Sequence, residues 1–231
     1  MAWALQRSVG VGVGIAAIVV PGLANAASAP ASAPRSLTFE NVFSPAGEPA
    51  SLHYVAVFKA RGGDHRLEVW RDGERRAKRA TDAALITYAV HEAGKDNFDL
   101  QMLDLHKRIS THLDRTTMYR LGNITDWFDL THALRHPKGA YQLVRSTLPV
   151  AAAGSAAPVA ACDWYTLTDR GRATRLCWSR TDRLPLLILD ADGTPAWRIS
   201  AVDHAPLPAG VFTIADQGFV KVDAVRDAER D

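Results

Sequence analysis

The chain has 231 residues, with 27 Lys and Arg against 25 Asp and Glu, a formal net charge of +2. So even a balance, one charge of which is Arg7, argues against nucleic acid as the main partner. Hydrophobic residues make up 47%, enough for an ordinary globular core.

The first residues read as a secretory signal. Arg7 supplies a positive start, residues 9–23 an apolar stretch broken by glycines and Pro21, and Ala24-Asn25-Ala26 a small-residue cleavage site. The apolar run is shorter than the roughly 20 residues a membrane span needs. Cleavage after Ala26 would leave a protein of about two hundred residues working in the periplasm, without a membrane span. The leader has no Arg-Arg pair, and no Cys follows the site, so neither twin-arginine export nor lipid anchoring is expected. The expected domains are therefore a signal peptide (1–26), a flexible tether rich in Ala, Ser and Pro (27–36), one β-rich domain (37–222) and a charged tail (223–231).

Within that domain, residues 52–60 and 65–71 read as strands, with Asp72-Gly73 as a tight hairpin turn. Residues 74–81 are polar and basic and predict a solvent-facing or edge strand. Strands at 85–90, 97–105 and 109–113 follow. A short helix is expected over 114–121. A second is expected over 126–136, capped by Thr125 or Asn123 and stopped by Pro137 and Gly139. In that helix Trp127, Leu130 and Leu134 share one face, while Asp129, His132 and Arg135 can reach solvent. A strand at 141–148 leads into a small-residue, low-complexity loop at 149–161. Two hairpins follow, 161–167 with 173–179 and 184–190 with 196–203, turning at Asp169-Arg170-Gly171 and Asp192-Gly193. Residues 209–214 suggest a last short strand. Many strands with helices grouped mid-chain give an α+β class, a curved antiparallel β-sheet.

Cys162 and Cys177 are the two cysteines, and neither belongs to a C-x-x-C motif. In an oxidising compartment the pair reads as a disulfide. Their midpoint falls between Asp169 and Arg170, which makes the bond a cross-strand one. His132 and His136 stand four apart with Asp129 one turn earlier, a spacing able to present two imidazoles to a metal. Ala133 stands where a metalloprotease helix has its Glu, and no metal or cofactor is expected. No nucleophile elbow and no phosphate-binding glycine loop is present in the domain, so no catalytic residue is singled out.

The run Arg183-Leu184-Pro185-Leu186, then Leu189-Asp190-Ala191-Asp192-Gly193, then Trp197-Arg198-Ile199 and Val202-Asp203, resembles the late strand pair of the periplasmic LolA, LolB and RseB-type superfamily. Trp70-Arg71-Asp72-Gly73 with the basic strand after it resembles that superfamily's early meander. The resemblance spans residues 40–215 as a pattern. It implies a half-open barrel with two or three helices over the concave face. It also implies non-catalytic binding of an apolar ligand, a lipid or a lipidated protein, as a carrier or an envelope-stress sensor. The alternatives are an envelope protein-interaction module that docks through an exposed edge strand and, third, a hydrolase with a site assembled from distant residues. Trp127, Leu130, Leu134, Phe98 and Tyr88 are the expected cavity residues.

Overall fold

The computed structural model describes residues 37–60, 63–92, 97–120, 126–146 and 162–224, all within the compact unit Ser36–Asp231. The leader, its cleavage site, the tether, the loop at 149–161 and the caps Thr125 and Asn123 lie outside the described residues.

Helix α1 (Phe39–Val42) precedes a meander of β1 (Ser51–Ala60), β2 (Gly63–Asp72), β3 (Arg76–Thr81), β4 (Leu85–His91), β5 (Phe98–Asp104) and β6 (Ile109–Asp114). Helices α2 (Arg115–Arg120) and α3 (Trp127–His132) follow. A second meander holds β7 (Tyr141–Arg145), β8 (Asp163–Asp169), β9 (Arg172–Ser179), β10 (Leu184–Leu189) and β11 (Pro195–Asp203), and β12 (Val220–Asp223) ends the set. All twelve strands form one unclosed sheet in the order β12-β6-β5-β4-β3-β2-β1-β11-β10-β9-β8-β7. The two meanders meet where β1 pairs antiparallel with β11, His53 opposite Asp203 and Phe58 opposite Trp197.

The sheet curls, and α3 shows why it must. Trp127 packs on Phe98 of β5 with ring centres 5.7 Å apart, while its chain neighbour Phe128 reaches Trp178 of β9 at 6.4 Å. Between β5 and β9 lie seven strand-to-strand steps, about 34 Å across a flat sheet at roughly 4.8 Å per step. Two consecutive residues can touch both strands only if the sheet bends round them. Helix α3 therefore lies in the concave face and joins two apolar clusters. One holds Phe39, Phe43, Leu143, Tyr165, Leu176 and Trp178, the other Ala77, Ala89, Phe98, Leu100, Leu113 and Met118. Helix α1, without an apolar period to signal it, is fixed by Thr38 as N-cap and by Phe39 and Phe43, both buried.

Three expectations need correction. The basic strand β3 is interior, paired with β2 on one side and β4 on the other. It tolerates its charges because Lys78 lies over the Trp70 ring at 4.7 Å and the Tyr88 ring at 5.6 Å, burying its stem while its amine faces outward. Residues 209–214 form turns; the last strand is β12, parallel to β6. Helix α3 stops at His132, because Ala133 takes a left-handed conformation with φ 54°. Asp126 caps it by accepting a hydrogen bond from the Phe128 amide.

The hairpin of β8 and β9 turns on Arg170 and Gly171, at φ 49° and 77°, a two-residue loop that favours glycine. Cys162 and Cys177 are bonded, as expected. Trp164 sits directly opposite Cys177 in the register, and Cys162 reaches it diagonally from just before β8, with Cα atoms 5.4 Å apart.

Candidate functional site

The concave face carries the site. Side chains alternate across each strand, so Arg79 and Thr81 of β3, Leu85 and Thr87 of β4, Leu100 and Met102 of β5 and Leu113 of β6 all point inward. Met118 of α2 and Leu130 of α3 cover them. The half-open space between them measures about 250 Å³. Two neighbouring hollows continue it. One, of about 210 Å³, lies against Phe58, Leu67, Ala133 and Trp197; the other, of about 240 Å³, lies against Leu134, Leu167, Leu176 and Ile188. Arg135 lines all three, and Arg79 the first two.

The expected cavity residues divide. Leu130 and Leu134 line hollows. Phe98 and Trp127 pack in the same cluster as Leu130, with Trp127 half-buried under the His91 ring at 4.9 Å. Tyr88 belongs to the opposite face. Its neighbours Thr87 and Ala89 take the inward positions, and Tyr88 joins a ladder of His53, Trp70 and Lys78 along the convex side. There the segment after β11 crosses the sheet. Phe212 lies under the Arg76 guanidinium at 4.4 Å, and Asp216 accepts from the Ser110 hydroxyl at 2.9 Å and pairs with Lys221.

Sequence reasoning missed the buried polar centre beneath α3. His132, expected to reach solvent, is 1% exposed. Its Nε2 lies 3.0 Å from Glu48 Oε2, which also pairs with the fully buried Arg71 at 3.3 Å. On the other side of the ring, Nδ1 lies 2.9 Å from Thr131 Oγ1, whose hydroxyl is 2.8 Å from the Trp127 carbonyl. Tyr54 donates to the Thr131 carbonyl. Burial, with the Arg71 charge beside it, pushes the His132 imidazole below its ordinary value, against the raising effect of Glu48. Burial likewise lowers Arg71, against Glu48. Glu48 comes from the loop between α1 and β1, where no periodicity marks it.

Thr131, His132 and Glu48 have the connectivity of a nucleophile, base and orienting acid. Yet they line neither the main space nor the two hollows that continue it, and the Thr131 hydroxyl serves the helix backbone. The arrangement holds the underside of α3 to β2 and to the loop before β1.

The two helical histidines part company where α3 ends. His132 turns inward, while His136 stands half-exposed with Nδ1 2.9 Å from Asp129 and 3.8 Å from Asp126. Asp126, Asp129 and His136 are close enough to share a cation. However, Asp126 already caps α3, and Asp129 accepts from both the His136 ring and its amide. No helix among the described residues is long and apolar enough to cross a membrane.

No known protein family matches the chain, and no curated protein does. Among solved structures it is similar to the crystal structure of MucB, at 15% identity and a TM-score of 0.35, covering 79% of this chain and 63% of that one. It is also similar to MucB in complex with MucA(peri), at 16% identity and a TM-score of 0.33, covering 76% of this chain and 57% of that one. The chain thus spans less than two thirds of either structure's length.

Proposed function

We propose that the chain is an exported, non-catalytic binding protein that takes an apolar ligand, a lipid or a lipidated protein into its concave face, as a carrier or an envelope-stress sensor. The observation that carries this is the partly apolar groove of about 250 Å³ between α2, α3 and the inner faces of β3 to β6, where six Leu and Met side chains meet Arg79, Thr81, Thr87 and Arg135. A concave surface lined mainly by apolar side chains, with a few convergent polar groups, is the usual form of a small-molecule site. The disulfide suits an oxidising compartment. The resemblance to the LolA, LolB and RseB-type superfamily supports the same reading. The test uses a fluorescent apolar probe with the full chain and with Met102→Trp, which fills the space. Saturable probe uptake that the substitution abolishes, with the dichroism spectrum unchanged, is expected; no uptake by the parent chain overturns the reading. Intact mass of the exported protein checks the leader, with Ala27 the expected first residue.

One further observation favours docking on an envelope protein. Strand β7 ends the sheet, with its outer edge unpaired among the described residues and Val144 exposed at 42%. An unpaired edge is a template for an added strand. An Arg→Pro change at Arg145, which blocks strand addition, should weaken capture of such a partner while leaving probe uptake intact.

A further inference from the structure

We infer that the concave site selects a single-chain fatty acid, whose carboxylate is held by Arg79 and Arg135 while its chain enters the apolar space under α2 and α3. This rests on the binding reading above and adds the chemistry of the head group.

The two arginines converge. Arg79 extends from the middle of the sheet on β3, Arg135 from just beyond α3, and both line both the main space and the hollow against Phe58 and Trp197. Neither has a carboxylate within ion-pair distance among the described residues, although ten other Lys and Arg side chains there are paired. Asp129, in the same hollow, is committed to His136. Burial lowers the Arg79 guanidinium most, and the Arg135 charge lowers it further, against the Tyr54 hydroxyl. Two like charges brought together in a partly desolvated place, with no carboxylate among the described residues in contact with either, are unfavourable. An anion entering between them would relieve the repulsion and gain charge-assisted hydrogen bonds. A guanidinium is planar and matches a carboxylate two atoms to two.

The lining fixes the rest of the ligand. Apart from the two arginines and the hydroxyls of Thr81 and Thr87, the space is lined by Leu and Met side chains from β4, β5, β6, α2 and α3. At about 250 Å³ it falls below the roughly 300–1,000 Å³ of sites for bulkier ligands. One chain suits it better than a lipid with several.

The experiment measures calorimetric binding of dodecanoate, dodecanol and acetate to the full chain at neutral pH. Variants Arg135→Gln and Arg79→Gln are compared. Arg135 is exposed, so its variant keeps the fold and decides the matter even if Arg79→Gln does not fold. Dodecanoate is expected to bind at least about tenfold tighter than dodecanol, the scale of one charge-assisted pairing. Acetate should bind too weakly to measure. In Arg135→Gln the preference for dodecanoate over dodecanol should fall to about threefold or less. Equal binding of dodecanoate and dodecanol, or an undiminished preference in Arg135→Gln, overturns the head-group assignment while the binding reading stands. Failure of both long-chain probes overturns the two together.

Discussion

His132 Nε2 and Glu48 Oε2 lie 3.0 Å apart in a place from which water is almost wholly excluded. The pair fastens the concave helix to a loop 84 residues earlier in the chain. Burial holds His132 below its ordinary value, so near neutrality the folded ring is uncharged. Between that lowered value and about 6.5 the unfolded chain binds more protons than the folded one, and stability rises with pH. Acidification from pH 7.5 to 5.5 should therefore destabilise the protein, by at most about 1.4 kcal/mol per pH unit for this group. His65 shifts upward through its exposed bond to Asp82 and acts in the opposite sense. Urea unfolding of the parent and of His132→Gln at both pH values isolates the contribution. The variant should show the smaller loss; equal losses would exclude His132 as the source.

Glu48 is the anion that makes the burial of Arg71 tolerable. Arg71 Nε and Nη1 and Glu48 Oε1 find no partner of their own, so the centre is held by few bonds. Removing Glu48 leaves a buried unpaired cation. Glu48→Ala should cost about 3–5 kcal/mol in urea unfolding, the range for breaking a buried pair. A loss below about 1 kcal/mol, the scale of an exposed pair, would show that Arg71 finds water or another anion.

Phe128 and Trp127 should respond unequally to truncation. Phe128 is 7% exposed and contacts Phe39, His132 and Trp178. Phe128→Ala should cost about 3–5 kcal/mol. Trp127 is half-buried between His91 and Phe98, so Trp127→Ala should cost clearly less. Chemical unfolding with tryptophan fluorescence and dichroism read together decides between them.

The disulfide closes a separation of 15 residues, worth about 3 kcal/mol in the chain-entropy description. Replacing both Cys162 and Cys177 by Ser should lower stability by about that amount and leave the sheet's dichroism in place. Thiol labelling of the unreduced, unfolded parent should find no free thiol.

How much of this was legible in the sequence depends on the range over which each feature is encoded. Strands β1, β2, β4 and β5 announce themselves by alternation, and Asp72-Gly73, Arg170-Gly171 and Asp192-Gly193 mark turns that form. Those signals are local. The interior place of β3 is not, because Lys78 lies over Trp70 and Tyr88 on the neighbouring strands and Arg76 over Phe212, far along the chain. The end of α3 was hidden because Ala133, a good helix former, adopts a left-handed conformation under tertiary constraint. That one residue ends the helix after His132 and takes His136 off the helical period. Glu48 sits between Gly47 and Pro49 in irregular chain, and nothing nearby in sequence suggests that its partners are Arg71 and His132.

The seam between β1 and β11 has a kinetic meaning. On one side of it β1 to β6 are joined by neighbouring hairpins, and on the other β7 to β11 are likewise joined in chain order. The seam itself pairs residues 139 to 150 positions apart, from Phe58 with Trp197 to His53 with Asp203. Each arm can assemble from local contacts, but the seam must wait for a long loop to close. A chain made from its N-terminus exposes the inner edge of β1, with Leu52, Tyr54 and Ala56 on one side of it, until β11 has emerged. During that interval β1 is the strand most open to pairing with the wrong chain.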